Sequence, residues 1–195
     1  SAVESGRITE DRINESVQRI WNAKKKSGIF NEHGTLNWNI VEKSVNLSQN
    51  KNSAKSIAQK SITIVKDELN LLPLRSEKIG KIVHIQISTD DDVKDMLNPF
   101  ARDIRYTHRD VDEYFVQELL SDYRMDELVN HADKAEVTIV SLLIRIRMNK
   151  GIATIDSTHA SLLKKLHEQH IPFITISFGS PYLPNYFTIP TYICV

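Results

Sequence analysis

Strand-like and helix-like segments alternate from about residue 53 onwards, and this alternation restricts the fold more than any other feature of the chain. Strands joined through helices form right-handed crossovers in a mostly parallel sheet. Residues 137–144 and 173–178 are apolar almost throughout, as expected of strands covered on both faces. The sequence therefore predicts an α/β fold, a three-layer α/β/α sandwich with a mostly parallel sheet. The predicted strands are 61–65, 81–87, 103–106, 135–146, 172–178 and 191–195.

Three apolar stripes mark helices between the predicted strands. Side chains three and four residues apart lie on one face of a helix, so each stripe is expected to pack on the sheet. The stripes are Val93, Met96, Leu97 and Phe100; Met125, Leu128, Val129 and Ala132; and Leu162, Leu163 and Leu166.

An isolated amphipathic helix is predicted at residues 9–27, ahead of the sandwich. Thr9 is a suitable N-cap and Gly28 a suitable residue after the last turn. Its apolar face has no obvious partner nearby in the sequence. That face consists of Ile13, Val17 and Ile20.

Three parts follow from this pattern. Residues 1–30 carry the isolated helix, residues 31–52 are polar and turn-rich and are interpreted as a linker, and residues 53–195 hold the sandwich.

Composition excludes several classes of protein. Lys+Arg and Asp+Glu are both 25, so the chain lacks the basic balance that nucleic-acid binding needs. The single cysteine, Cys194, excludes an internal disulfide framework and a cysteine-based zinc cluster. No apolar run approaches the roughly 20 residues of a membrane span. The compartment stays open, with a bacterial periplasmic or extracellular location favoured.

Asp90, Asp91 and Asp92 come directly after a predicted strand and at the start of a predicted helix. At that edge of an open α/β sheet three carboxylates could hold a divalent cation. Helix capping explains the same residues more simply, so we expect no metal site here.

Three histidines, His159, His167 and His170, fall on or next to one predicted helix. His167 and His170 are three residues apart and could share a metal, but no third ligand is apparent, and the pattern differs from the two-histidine zinc motif. We expect no metal or other cofactor to bind at these histidines.

The turn after the strand at 172–178 reads Gly179, Ser180, Pro181, Tyr182. It lacks the glycine spacing of a serine nucleophile elbow around Ser180, and Pro181 follows where a helix would have to begin. We expect Gly179 to permit an unusual backbone conformation, Pro181 to stiffen the loop and Tyr182 to project at the sheet edge. Two interpretations stay open: a local strand exit, or a surface that meets a ligand or another domain.

Three segments in the same order resemble glycoside hydrolase family 3. Residues 7–30 resemble the last helix of that family's catalytic barrel in the sequence RITEDRINESVQRIWNAKKKSGIF. Residues 58–74 resemble the entry to its C-terminal domain in AQKSITIVKDELNLLPL. Residues 176–195 resemble a late strand–loop–strand of its N-acetylglucosaminidase branch in ISFGSPYLPNYFTIPTYICV. The resemblance covers nearly the whole chain and is weakest at 90–130.

The resemblance implies a C-terminal accessory domain of an enzyme that acts on β-linked N-acetylglucosamine. Its partners would be an N-terminal barrel of the same polypeptide, absent from this sequence, and a carbohydrate substrate. The family's nucleophilic aspartate and, in this branch, its acid/base dyad belong to the barrel, so no catalytic residue, metal ligand or cofactor site carries over. Gly179, Ser180, Pro181 and Tyr182 would border the barrel or the sugar. The end of the sandwich is expected to be incomplete.

Two alternatives remain. In the first, the chain is a free-standing α/β domain that binds a small molecule, since fold does not fix function. In the second, the chain belongs to a β-glucosidase-type family 3 enzyme, whose acid/base glutamate lies in a segment without a match in this sequence.

Overall fold

The computed structural model describes residues 1–30, 38–88, 94–117, 119–144 and 155–195. The chain forms two compact units, Ser1–Ser53 and Ala54–Val195. The described helices are α1 (Glu10–Lys26), α2 (Trp38–Ser44), α3 (Ser48–Ser61), α4 (Lys94–Thr107), α5 (Asp122–Asp133) and α6 (Ser157–Glu168). The described strands are β1 (Thr63–Asp67), β2 (Ile82–Ser88), β3 (Val111–Val116), β4 (Val137–Leu143), β5 (Phe173–Ser177) and β6 (Thr191–Cys194). Among these helices, none is both long and apolar enough to cross a lipid bilayer.

The strands form one sheet in the order β1-β6-β5-β4-β2-β3. Only the β1–β6 pair is antiparallel, and the other four pairs are parallel. β2, β4 and β5 are neighbours, so their carboxyl ends meet at one edge of the sheet. The α/β fold with a mostly parallel sheet, preceded by an N-terminal helix, is confirmed.

Helices cover both faces of the sheet. On one face, α5 and α6 pack on alternate residues of the two central strands. These are the odd-numbered residues of β2, such as Val83, and the even-numbered residues of β4, such as Val140. On the opposite face, α4 and residues 71–79 cover Ile82, Ile139 and Ile174. Two of the predicted stripes are fully confirmed as core. Their buried side chains are Met125, Leu128, Val129, Ala132, Leu162, Leu163 and Leu166.

The predicted strand at 103–106 is wrong, because these residues lie in α4. Leu97 and Ala101 are buried, and Ile104 packs on the sheet, so the helical spacing of the stripe continues past Phe100. The strand that follows is β3, which the sequence analysis did not predict. Val93 and the side chain of Met96 lie outside the described residues.

The stretch interpreted as a linker, 31–52, contains α2 and the first residues of α3. Their sequences, WNIVEKS and SQNKNSAKSIAQKS, are polar but hold no proline or glycine, so nothing in them prevents a helix.

The predicted N-terminal helix is confirmed as α1. Thr9 caps it by accepting a 3.2 Å hydrogen bond from the backbone N–H of Arg12. Gly28 follows its end with a φ of 74°, a left-handed conformation that costs glycine little. No residue of α1 is buried, and its apolar face stays exposed, with Ile13 at 41%, Val17 at 55% and Ile20 at 57%.

This exposed face predicts concentration-dependent association. Burying three aliphatic side chains contributes roughly 5 kcal/mol, enough to favour pairing between copies at high concentration. We expect light scattering to show an oligomer that Ile13→Ser and Val17→Ser each weaken. Ile57→Ser, which changes an isoleucine that is 69% exposed in α3, is the matched control and should change little. A monomer indifferent to all three changes would contradict this prediction.

Candidate functional site

The segment Gly179–Tyr182 lies where the sequence analysis put it, directly after β5 at the carboxyl edge of the sheet. Ligands of open α/β sheets bind outside this edge. The carboxyl ends of β2 and β4 lie at the same edge, because β5, β4 and β2 are consecutive parallel neighbours. The loop therefore lies at the edge where these strands end, which is the position that a binding surface would need.

Gly179 is required by close packing rather than by an unusual backbone angle. Its φ is outside the left-handed range, so the expected conformational role is wrong. A Cβ atom added there would lie 3.0 Å from the carbonyl oxygen of Ile144, closer than nearly all real Cβ contacts. The N–H of the preceding Phe178 donates a 2.8 Å hydrogen bond to the carbonyl of Leu142. The loop thus begins tightly against the end of β4.

Tyr192 of β6 anchors the loop through a hydrogen bond to its backbone. Its hydroxyl donates a 2.5 Å hydrogen bond to the carbonyl oxygen of Ser180, while the ring is fully buried. Burial raises the pKa of Tyr192 to about 12, so the hydroxyl stays protonated and remains a donor at physiological pH. The hydroxyl of Ser177 donates to the same carbonyl at 3.3 Å. This double anchor gives the loop a fixed position.

Ser180 forms a short turn with the tyrosine that follows. Its hydroxyl accepts a 3.3 Å hydrogen bond from the backbone N–H of Tyr182. The hydroxyls of Ser180 and of Ser177, the last residue of β5, are therefore both used in hydrogen bonds to the loop backbone.

The loop presents aromatic surface to solvent. Tyr182 is 66% exposed and Tyr186 is 57% exposed, whereas Leu183 between them is buried in the core. A buried anchor flanked by two exposed tyrosines produces a rigid, amphipathic patch of the kind enriched at interfaces. The sequence analysis missed Tyr186, although its spacing of four residues from Tyr182, around the buried Leu183, was a readable signal.

The structure places the three histidines in different surroundings. His159 is buried near the start of α6, whereas His167 and His170 are exposed. α6 ends at Glu168 and His170 has a φ of 59°, so the helical spacing assumed for His167 and His170 does not apply. Among the described ranges, no group of three His, Cys, Asp or Glu side chains is arranged to hold a metal. Asp90, Asp91 and Asp92 lie outside those ranges.

A buried polar cluster lies under α4, and the sequence analysis did not identify it. His84 of β2 is fully buried, and its Nε2 lies 2.8 Å from the hydroxyl of Ser141 on β4. Its Nδ1 faces Glu113 of β3 at 3.7 Å, beyond hydrogen-bond distance, and Glu113 is ion-paired with Arg105 of α4. Phe100 packs edge-on against His84 at 5.7 Å. The sequence signal for this cluster was a polar residue at every second position of β2, namely His84, Gln86 and Ser88.

This cluster adjoins the strand exit through aromatic contacts. Phe100, which contacts His84, also packs edge-on against Phe178 with 5.3 Å between ring centroids. Phe178 is the residue directly before Gly179. α4 and the start of the loop are therefore in contact through one group of packed rings.

Comparison with known proteins gives the following matches. No protein-family model matches the chain. A lysosomal β-glucosidase of Dictyostelium discoideum is 33% identical over 89 residues, which are 45% of this chain and 11% of that protein. A solved glycoside hydrolase family 3 β-N-acetylglucosaminidase from Paenibacillus is 21% identical with a TM-score of 0.63. The match covers 99% of this chain and 36% of the β-N-acetylglucosaminidase chain. A solved β-glucoside phosphorylase is 20% identical with a TM-score of 0.65, and the match covers 99% of this chain and 35% of the phosphorylase chain.

At these identities the solved structures establish the fold. The chain spans about a ninth of the curated relative, at 11%, and about a third of the two solved chains, at 36% and 35%. The α/β sandwich with its preceding helices is thus an arrangement that also occurs as one portion of longer carbohydrate-active proteins.

Proposed function

We propose that this chain is the non-catalytic C-terminal domain of a glycoside hydrolase family 3 enzyme that hydrolyses β-linked N-acetylglucosaminides. The match over 99% of the chain to a β-N-acetylglucosaminidase of that family supports this proposal most. In this proposal residues 1–30 belong to the last helix of a barrel, residues 31–52 link the two domains, and residues 53–195 form the accessory sandwich. The sequence resemblance of residues 7–30, 58–74 and 176–195 points the same way.

A β-glucoside is the second candidate substrate. It is favoured by the 33% identity to a lysosomal β-glucosidase and by the fold match to a β-glucoside phosphorylase. Both candidates assign the chain the same role, and they differ in the sugar that the complete enzyme would accept.

The role proposed for Gly179–Tyr182 is to support the barrel or border the sugar, without bond chemistry. Retaining glycosidases need two carboxyl groups about 5 Å apart. The loop contains no carboxylate, and the hydroxyl of its one serine, Ser180, accepts a hydrogen bond within the loop. Its fixed backbone and exposed tyrosines suit contact with a sugar ring or another protein surface.

Two chromogenic substrates test the proposal: 4-nitrophenyl N-acetyl-β-glucosaminide and 4-nitrophenyl β-glucoside. The complete protein that contains this chain should hydrolyse one of them, and the 195-residue chain alone should hydrolyse neither. Turnover by the purified chain that one of its own point mutations abolishes would place an active site within it. A complete protein with no barrel and no turnover would favour a free-standing small-molecule-binding domain.

Tyr182→Ala in the complete protein is expected to lower kcat/KM by about fivefold, as the loss of one aromatic contact predicts. The free chain should keep its stability, because this side chain is 66% exposed. Tyr106→Ala is the matched control, since Tyr106 is 92% exposed at the end of α4 that precedes β3. A destabilised free chain with a fully active complete protein would make Tyr182 a residue of local structure only.

A further inference from the structure

A cavity of ≈ 290 Å³ opens near the amino ends of the central strands, and none of its lining residues belongs to the Gly179–Tyr182 loop. Ile82 is the first residue of β2 and Ile139 the third of β4, and α4 and residues 74–79 provide the other sides. Its apolar lining consists of Leu74, Ile79, Ile82, Phe100, Ile104 and Ile139.

The apolar lining favours an organic ligand over water. An enclosed apolar cavity of about 150 Å³ is large enough to bind benzene. The space here is open to solvent and holds ≈ 290 Å³, so volume does not limit a ligand of that size. Water needs two to four polar partners, which the polar side of the lining supplies and the aliphatic walls do not. A single aromatic ring with a short substituent therefore fits both the volume and the chemistry of the lining.

Polar groups occupy one side of the lining, and their hydrogen bonds define what a ligand can offer them. His108 Nε2 lies 2.5 Å from the carbonyl of Gly80, so in the neutral ring Nε2 carries the proton and Nδ1 accepts. The Ser76 hydroxyl lies 3.2 Å from that Nδ1 and 3.0 Å from the carbonyl of Thr107, and its single hydrogen is shared between these two acceptors. The oxygen of Ser76 keeps lone pairs for an incoming donor.

Desolvation selects against anions. Asp103 is the charged residue of the lining, and its exposed carboxylate is ion-paired with Arg102 at 3.4 Å, so its charge is offset. A carboxylate or phosphate would lose hydration against the apolar walls, and no lysine or arginine is among the described lining residues to bind it.

We propose that this cavity binds a small neutral aromatic alcohol. The ring lies among the isoleucines and Phe100, and the ligand hydroxyl donates a hydrogen bond to the oxygen of Ser76. This proposal does not rest on the proposed accessory role, because the lining includes no residue of the Gly179–Tyr182 loop and binding needs no barrel.

Titration of the 195-residue chain with benzyl alcohol, followed by NMR of the isoleucine methyl groups, tests the proposal. We expect saturable shifts at Ile79, Ile82 and Ile104 with a dissociation constant on the order of 1 mM. Benzyl methyl ether, which has no hydroxyl donor, should bind about fivefold more weakly, as the loss of one hydrogen bond predicts. Benzoate should give no saturable shift. Shifts confined to other isoleucines, or equal binding of all three compounds, would overturn the proposal.

Two variants with one matched control complete the test. Leu74→Trp fills the cavity and should weaken benzyl alcohol binding at least about tenfold, whereas Leu119→Trp, at a position that is 67% exposed, should leave it unchanged. Ser76→Ala changes an exposed polar position and should remove the preference for alcohol over ether while toluene binds as before. Unchanged binding in Leu74→Trp, or a preserved alcohol preference in Ser76→Ala, would refute the site.

Discussion

Acidification from pH 7 to pH 4 is expected to lower the free energy of unfolding of Ala54–Val195 by about 3 kcal/mol through His84. Burial, and next the charge of Arg105, lowers the pKa of His84 from 6.5 to about 4. Between pH 6.5 and about pH 4, His84 is protonated in the unfolded chain and mostly neutral in the folded chain. Stability is therefore fully retained above pH 6.5 and is lost as the pH falls through this window.

Urea unfolding at a series of pH values measures this effect. The wild-type profile should fall between pH 6.5 and pH 4, and His84→Gln should flatten that part of the profile, whatever its stability at pH 7. Glutamine can reach the hydroxyl of Ser141 without carrying a titratable group. His167→Gln changes an exposed histidine and should retain the wild-type slope. An unchanged slope in His84→Gln would assign the acid sensitivity to other groups.

Asp67→Ala is expected to lower the free energy of unfolding by about 3 kcal/mol, because one carboxylate holds three donors. Its Oδ1 accepts from the N–H of Leu71 and the hydroxyl of Thr191, both at 3.0 Å. Its Oδ2 accepts from the N–H of Leu72 at 3.2 Å. The side chain thus fastens the end of β1 to β6 and to the segment that leads toward the cavity.

Denaturant unfolding of two companion variants separates this role from general charge loss. Asp67→Asn keeps one acceptor oxygen and should cost about 1 kcal/mol. Glu68→Ala removes a carboxylate that is 59% exposed and forms a surface ion pair with Lys66, so it should cost at most about 0.5 kcal/mol. Equal losses in Asp67→Ala and Glu68→Ala would show that the three hydrogen bonds contribute little.

The loop at the carboxyl edge combines features that the sequence predicted with others that it did not. The exposed position of Tyr182 follows from a strand that ends in a proline-containing turn. The anchor by Tyr192 depends on β6 lying next to β5, which are joined by parallel pairing such as Thr175 with Tyr192. Pairing between segments that are distant along the chain leaves no local pattern, so no reading of the turn alone would have found it.

The sequence by itself determined the fold class, α1 and the central strands, because local periodicity carries those elements. Continuous apolar runs marked β4 and β5, and the stripe from Met125 to Ala132 marked α5. Continuous runs and helical spacing are both patterns of neighbouring residues, and burial of a strand on both faces of a parallel sheet requires the continuous run.

Only the tertiary structure decided β3, the continuation of α4 and the cluster around His84. Val111–Val116 contains Asp112 and Glu113, so its composition is weak for a strand, and pairing with β2 holds it in place. Residues 103–106 are strand-like as a short run, but the sheet surface beneath Ile104 stabilises them as helix. His84, Ser141 and Glu113 come from three strands and meet only because β4, β2 and β3 are adjacent. Their contacts depend on strand order, and strand order is a long-range property that local sequence does not encode.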